Sequence, residues 1–396
     1  MFEKHDAAPP DAILGLTEAF KKDTNPKKVN LGVGVYKDAN NETPILGTVK
    51  KAEEILLQKE QTKSYLPISG APSYGVKVQE LLFGADHEII KNTRAHTAQT
   101  PGGTGALRVA GDLITHLFPG STLWMSNPTW NNHPAIFEAA GLPMKEYPYY
   151  DYSTKKLDFE GMLNTFKDIP EGDVVLLHAC CHNPSGMDPD LEQWQAIAQI
   201  ARERKWLPFF DFAYQGFAEG LEADAAGIKA FCHEGCELLI CSSFSKNFGL
   251  YNERTGALTV VGATKDAADK VFSHVKTRIR SNYSNPPYHG GGIVDIILSD
   301  TELRREWEEE VKEMRDRINS MRHRFVDTLA SKGVNQDFSF ITTQSGMFSF
   351  SGLNKQQVEI LREKYAIYIV GSGRINVAGI TEDNLDYLCS AIADVL

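Results

Sequence analysis

The sequence has few cysteines, no long apolar run and no excess of positive charge, and each shortage removes a class of protein. Six cysteines in 396 residues are too sparse for a disulfide scaffold. Cys180, Cys181, Cys232, Cys236, Cys241 and Cys389 sit in strand-like surroundings and read as reduced and mostly buried. Cys232 and Cys236, with His233 and nearby Cys241, bring zinc to mind, yet no second Cys-x-x-Cys or histidine pair at ligand spacing completes a site, so no metal is expected. No stretch approaches the ~18 apolar residues that a membrane span needs, and the start, Met1 to Asp6, lacks the apolar core of a signal peptide. A cytoplasmic address is the expectation. Lys plus Arg number 41 against 52 Asp plus Glu, a net charge of −11 that argues against a nucleic-acid partner. Any anion must then be gripped by single, well-placed arginines.

What is present is a chain long enough, and at 42% hydrophobic apolar enough, for a large core and two or three domains. From about Thr97 to Val260, short β-rich runs alternate with helical patterns, the signature of βαβ units and a mainly parallel sheet. The runs 122–125, 174–177, 207–210 and 238–240 are apolar throughout, as strands covered on both faces should be. Residues 191–204 carry a helical stripe through Trp194, Ile197, Ala198 and Ile200, and 301–329 repeat apolar residues from Trp307 to Phe325 at spacings of three or four. After Gly333, short strands mix with helices at 356–364 and 382–395, which reads as a smaller α+β domain. The first forty-odd residues, with Pro9, Pro10, Gly32 and Gly34, are expected to pack on it. There is no repeat or long linker, so a cleft between closely packed domains is the default ligand site.

Four groups of residues can carry chemistry. Thr100-Pro101-Gly102-Gly103-Thr104-Gly105 is a glycine-rich turn entering a helix, whose free N–H groups suit a phosphate. It lacks the Gly-Lys-Ser/Thr of a nucleotide loop and the glycine spacing of a dinucleotide fingerprint. Lys246, in Ser242-Ser243-Phe244-Ser245-Lys246, follows a strand at the sheet edge where ligands collect, and can serve as a Schiff-base nucleophile if its charged form is disfavoured. Asp211 ends a strongly apolar run and should face a cation, such as a protonated pyridine nitrogen, unless it merely caps the next turn. Arg254, Arg280 and Arg374 lie near small, turn-forming residues; each alone reads as a surface ion pair, but together they suggest forks for carboxylate or phosphate.

The stretch Ser243-Phe244-Ser245-Lys246-Asn247-Phe248-Gly249-Leu250-Tyr251-Asn252-Glu253-Arg254 closely resembles the aspartate aminotransferase family, fold-type I enzymes dependent on pyridoxal phosphate. Family-like segments continue at Asn30 to Tyr36, Gly103 to Arg108, Asn127 to Trp130, Cys181 to Gly186, Asp211 to Gly216, Tyr283 to Pro287 and Ser372 to Gly379, covering essentially the whole chain. The resemblance implies an α/β fold with a large, mainly parallel-sheet domain over 48–315 and a smaller α+β domain built from 1–47 and 316–396. It implies Lys246 as the Schiff-base lysine, Asp211 as partner of the pyridine nitrogen, Asn183 and Tyr214 as donors to the phenolic oxygen, and Trp130 as the ring stacked on the cofactor. Gly102, Gly103, Thr104, Ser243 and Arg254 match the phosphate pocket. Tyr65 and Arg280 match residues that reach the neighbouring subunit's site, so a homodimer is expected. Arg374 matches the grip on the substrate α-carboxylate, Arg280 the grip on the distal carboxylate, and Gly34 lies in a segment that contacts substrate. The implied reaction is reversible amino transfer from aspartate to 2-oxoglutarate by ping-pong kinetics.

The aromatic branch of the same family is the rival. Val35, Lys37, Thr43, Thr104 and Asn285 resemble the aspartate-preferring branch, whereas Ser64 stands where that branch is expected to carry asparagine. A non-catalytic relative that only binds the cofactor is a further alternative, opposed by retention of Lys246, Asp211, Asn183, Tyr214 and Arg374 together.

Overall fold

A computed structural model describes residues 1–7 and 12–396; Pro9 and Pro10 lie outside the described residues. Seven strands form the central sheet: β1 (Ala95–Pro101), β2 (Leu123–Asn127), β3 (Met144–Pro148), β4 (Val174–His178), β5 (Leu207–Phe212), β6 (Leu238–Ser243) and β7 (Thr255–Val261). Their order across the sheet is β1-β7-β6-β5-β4-β2-β3. Every pair from β6 to β3 is parallel, and β7 runs antiparallel to both β6 and β1. The sheet is thus mainly parallel, as expected, with an antiparallel strand toward one end.

Alternation along the inner strands β4, β5 and β6 shows why the runs 174–177, 207–210 and 238–240 are apolar. Val175 and Leu177 enter one core and Val174 and Leu176 the other; Phe210 and Ile240 are likewise divided from Phe209 and Leu239. Side chains two apart share a face, so a strand covered on both sides has no polar position to spare. Helix α1 (Gly102–Leu117) follows β1 directly and packs on the second of these cores.

Helix α2 (Leu191–Arg204) starts at a capping box, with Asp190 accepting from Gln193 N at 2.8 Å and Gln193 Oε1 accepting from Asp190 N at 3.0 Å. It stops at Lys205, which adopts the left-handed conformation at φ 59°. Helix α3 (Lys265–Asn282) carries Arg280 in its last turn. Helix α4 (Thr301–Ser331), capped by Asp300, is 31 residues long and spans about 46 Å. Its buried stripe runs from Leu303 to Leu329, and near its start Trp307 Nε1 donates to the Asn247 carbonyl at 2.7 Å while stacking on Phe248 at 4.3 Å. The long helix therefore braces the turn that carries Lys246.

The C-terminal region is tied to the N-terminal segment by backbone. Strand Arg374–Asn376 pairs antiparallel with Phe348–Phe350, and Val29–Asn30 pairs parallel with Ile367–Tyr368. Asn376 Nδ2 donates to the carbonyls of Val33 and Val35 at 2.7 and 2.8 Å, which fixes the chain around Gly34. Among the described residues, no helix is long and apolar enough to cross a membrane.

Candidate active site

Strand register brings the chemistry together. His178, Asp211 and Cys241 are aligned across β4, β5 and β6, near the carboxyl ends of three parallel strands. Just past the end of β6, a turn closed by Gly249 N donating to the Lys246 carbonyl presents Lys246 at the same edge. A cavity of about 290 Å³ opens there, where crevices of open α/β sheets gather ligands. Lys246, Asp211, Tyr214, Trp130 and Asn183 line it, as do Gly34 from the N-terminal segment and Arg374 from the C-terminal region.

One end of the cavity is built for an anion. Helix α1 begins after Pro101 without a side-chain cap, so the N–H groups of its first turn carry the positive end of the helix dipole toward Gly103 and Thr104 in the wall. Gly102 has φ 73°, and a Cβ there would lie 2.5 Å from Arg254 Nη2. Arg254, itself left-handed at φ 52°, is held by the Ser245 hydroxyl at 3.3 Å and the Tyr251 carbonyl at 3.1 Å. Ser243 completes this wall; a Cβ on Gly103 would meet its Cβ at 3.0 Å. Behind it, Gly256 abuts the cradle so closely that a Cβ would lie 2.5 Å from the Gly102 carbonyl carbon and 2.7 Å from the Ser242 carbonyl oxygen.

Another part of the lining is anionic. Burial pushes the Asp211 carboxyl upward, but the 3.1 Å contact with His133 Nε2, together with the nearby Lys246, outweighs that and leaves it below the ordinary carboxylate value. Asp211 thus remains an ionised acceptor in an apolar strand. His133 is fully buried, and its Nδ1 meets Thr129 Oγ1 at 2.8 Å, which lies 3.2 Å from His178 Nε2. Burial, reinforced by His133, holds His178 down to about 3.

Lys246 Nζ lies 4.5 Å from the Tyr214 ring centre, and its pKa falls to about 8. Burial is the main cause, Asp211 opposes it and Arg254 adds to it. Arg374 is 4% exposed and donates to Asn183 Oδ1 at 3.2 Å and to the Gly32 carbonyl at 2.9 Å. Its Nε has no hydrogen-bond partner among the described residues, so the buried guanidinium keeps a donor in hand. The loop before Asn183 is fixed by Asp188, whose carboxylate accepts from Cys181 N at 2.6 Å and His182 N at 2.8 Å.

Two expected residues stay apart. Tyr65 is 91% exposed, and Arg280 is exposed with its guanidinium on the Ser284 hydroxyl; neither lines the cavity of this chain. The sequence reading also missed His133, Thr129 and His178. His178 directly follows the apolar run 174–177, but only the strand register of the folded chain sets it beside Asp211.

The profile of the family described as aminotransferase class I and II matches residues 26–392. The chain belongs to this family. Over 396 residues it is 56% identical to an Escherichia coli (strain K12) protein named aspartate aminotransferase, covering all of both chains. It is 47% identical to a Pseudomonas aeruginosa aromatic-amino-acid aminotransferase, covering 100% of this chain and 98% of the relative. Among solved structures, the aromatic-amino-acid aminotransferase of Burkholderia pseudomallei, covalently bound to pyridoxal phosphate, superposes with a TM-score of 0.98 at 47% identity, covering 100% of this chain and 99% of that one. The fold of this aminotransferase is accordingly α/β, with helices around the mixed seven-stranded sheet.

Proposed function

We propose that this aminotransferase is an aspartate aminotransferase, which uses pyridoxal phosphate to move the amino group of L-aspartate to 2-oxoglutarate, giving oxaloacetate and L-glutamate. One observation carries the reading: a single cavity joins a lysine of lowered pKa, an ionised buried carboxylate, an anion cradle and a buried arginine. Full-length 56% identity to a protein of that name supports it.

The residues fit the cofactor. A phosphate dianion suits the uncapped start of α1 with Gly102, Gly103, Thr104, Ser243 and Arg254. Asp211 is an acceptor for a protonated ring nitrogen, Trp130 offers a stacking face, and Asn183 and Tyr214 lie where they can donate to a ring oxygen. Gly256→Ala should press on the back of the cradle, lowering stability by about 1–3 kcal/mol and weakening cofactor retention. Thermal unfolding and cofactor titration together check this; a variant unchanged in both would mean that the backbone there is free to yield.

When bound, the cofactor supplies an electron-withdrawing ring that accepts negative charge developing on the substrate α-carbon. Asp211 sustains that pull by staying ionised. Arg374 fixes the α-carboxylate, with Gly34 bordering the substrate side. Lys246 Nζ would hold the cofactor and, as a free amine, would carry the α-proton; a pKa of about 8 leaves a usable neutral fraction near pH 7 to 8. The keto acid leaves, and a second keto acid reverses the sequence.

The second carboxylate calls for a second guanidinium, and we assign it to Arg280 of a partner subunit, with Tyr65 reaching the partner's cofactor phosphate. A homodimer is supported by exposure of both residues and by Leu57 and Val76, which stand 82% and 48% exposed. We divide the chain into a large domain, 48–315, and a small one, 1–47 with 316–396, and place the protein in the cytoplasm. Arg280→Leu should lower kcat/KM for aspartate by about 10²-fold or more, because an anion loses its partner, and should affect phenylalanine far less. Equal losses for both substrates would assign side-chain selection elsewhere. Aromatic amino acids are the second substrate class, supported by the 47% identity to the Pseudomonas aeruginosa enzyme.

The reading is tested by the visible absorption of the purified holoenzyme. Aspartate without keto acid should remove the yellow band, and 2-oxoglutarate should restore it. A protein that takes up no pyridoxal phosphate, or whose band ignores aspartate, overturns the proposal.

A further inference from the structure

A second cluster of reactive side chains lies at the far end of the sheet from Lys246, in the loop that enters β6. Cys236 N donates to the His233 carbonyl at 3.1 Å, and Gly235 between them is left-handed at φ 76°. This turn folds Cys236 back toward Cys232, whose thiol donates to the Ile228 carbonyl at 3.4 Å. Arg94, 4% exposed, donates from Nη2 to Cys236 Sγ at 3.3 Å and to the Cys236 carbonyl at 2.9 Å. The guanidinium cannot swing away, because Nε donates to the Gly262 carbonyl at 3.1 Å and Nη1 pairs with Glu88 at 2.5 Å.

Both cysteines line depressions in the surface. Cys232 lines a surface depression with Arg94 and Lys265, and Cys236 lines another of about 460 Å³ with Arg202 and Lys205. Neither depression shares a lining residue with the active-site cavity. Among the described residues, no group of three or more His, Cys, Asp or Glu is placed to hold a metal ion.

We propose that Cys232 and Cys236 form a reversible dithiol–disulfide site oxidised by hydroperoxides, with Arg94 as the residue that positions and activates Cys236. Cys236, as thiolate, attacks one peroxide oxygen; the O–O bond breaks, and the leaving oxygen takes a proton to become water or an alcohol. The Cys236 sulfenic acid is then attacked by Cys232 as its thiol gives up its proton. The S–S bond forms, and the displaced hydroxide leaves with that proton as water. Two thiols are oxidised by two electrons, and one hydroperoxide is reduced.

The electrostatics run the same way. The neighbouring Cys232 thiol, the His233 backbone and Arg94 hold the Cys236 thiol below its ordinary value against burial. Burial instead pushes Cys180, Cys181, Cys241 and Cys389 upward, with Cys181 at about 11 and Cys389 at about 12. Attack on peroxide should therefore select one thiol of six.

The test is hydrogen peroxide treatment of the holoenzyme, alkylation of the remaining thiols, and mass spectrometry of the tryptic peptide 230–246 without reduction. The expected peptide is lighter by two hydrogens across Cys232 and Cys236, and dithiothreitol restores it. Cys232→Ser should strand a sulfenic acid on Cys236 that dimedone traps, and Arg94→Gln should slow Cys236 oxidation on the order of tenfold. The idea is overturned if both cysteines remain alkylatable after peroxide, if the buried cysteines oxidise as fast, or if Cys232→Ser yields no trapped Cys236.

Discussion

Lys246→Ala is expected to cut the aspartate half-reaction by about 10⁴-fold or more while leaving pyridoxal phosphate bound noncovalently. The two effects separate because different residues carry them. Lys246 is the one lysine among the cavity's lining residues, so its loss removes the anchor and the proton carrier together. The start of α1, Ser243 and Arg254 do not depend on its side chain, since Arg254 is held by Ser245 and Tyr251. Stability should not suffer: burial disfavours the charged amine, and Ala removes that burden along with the side chain. Single-turnover absorption with aspartate measures the first effect, and equilibrium dialysis of cofactor the second. Fast turnover in the variant would refute the role given to Lys246; loss of cofactor binding with an intact fold would mean the cradle is not self-sufficient.

The sequence was legible where local chemistry and chain position coincide. Lys246, Asp211 and the glycine turn at Gly102 are each read from a strand and the residues just beyond it, because ends of parallel strands are where an apolar run must meet polar function. Helices Leu191–Arg204 and Glu382–Val395 begin and end where their spacing and caps indicate. The pairs that join distant segments were not legible. Asp211, His133, Thr129 and His178 come from three stretches of chain, and nothing in any one of them marks the histidines as neighbours of a carboxylate. The antiparallel placement of β7 escaped for the same reason: buried on both faces, its sequence matches that of its parallel neighbours. Trp307, read from its spacing as a core residue of α4, also donates to the turn of Lys246, a hydrogen bond that helical periodicity cannot disclose.

That histidine relay gives the second large effect. Asp211→Asn should reduce turnover of aspartate by about 10²–10³-fold, the scale of losing one preorganised charge partner in a water-poor site. The amide is nearly isosteric and can still accept from His133 through its oxygen, so the fold and the 3.1 Å contact have no reason to fail. What disappears is the negative charge that opposes the burial of Lys246 and that a protonated ring nitrogen requires. Two readouts follow with opposite signs. Without Asp211 the Lys246 amine loses the interaction that raises its pKa, so in the cofactor-free protein it should titrate below about 8. The catalytic rate should nevertheless fall, because an easier base does not replace the missing ring partner. A pH titration of cofactor uptake tracks the first, and single-turnover kinetics with aspartate track the second. If Lys246 moves while the rate holds, Asp211 tunes the lysine and not the ring; if neither moves, the His133–Asp211 pair is a structural cross-link between Thr129 and β5, and the assignment of Asp211 to the cofactor fails.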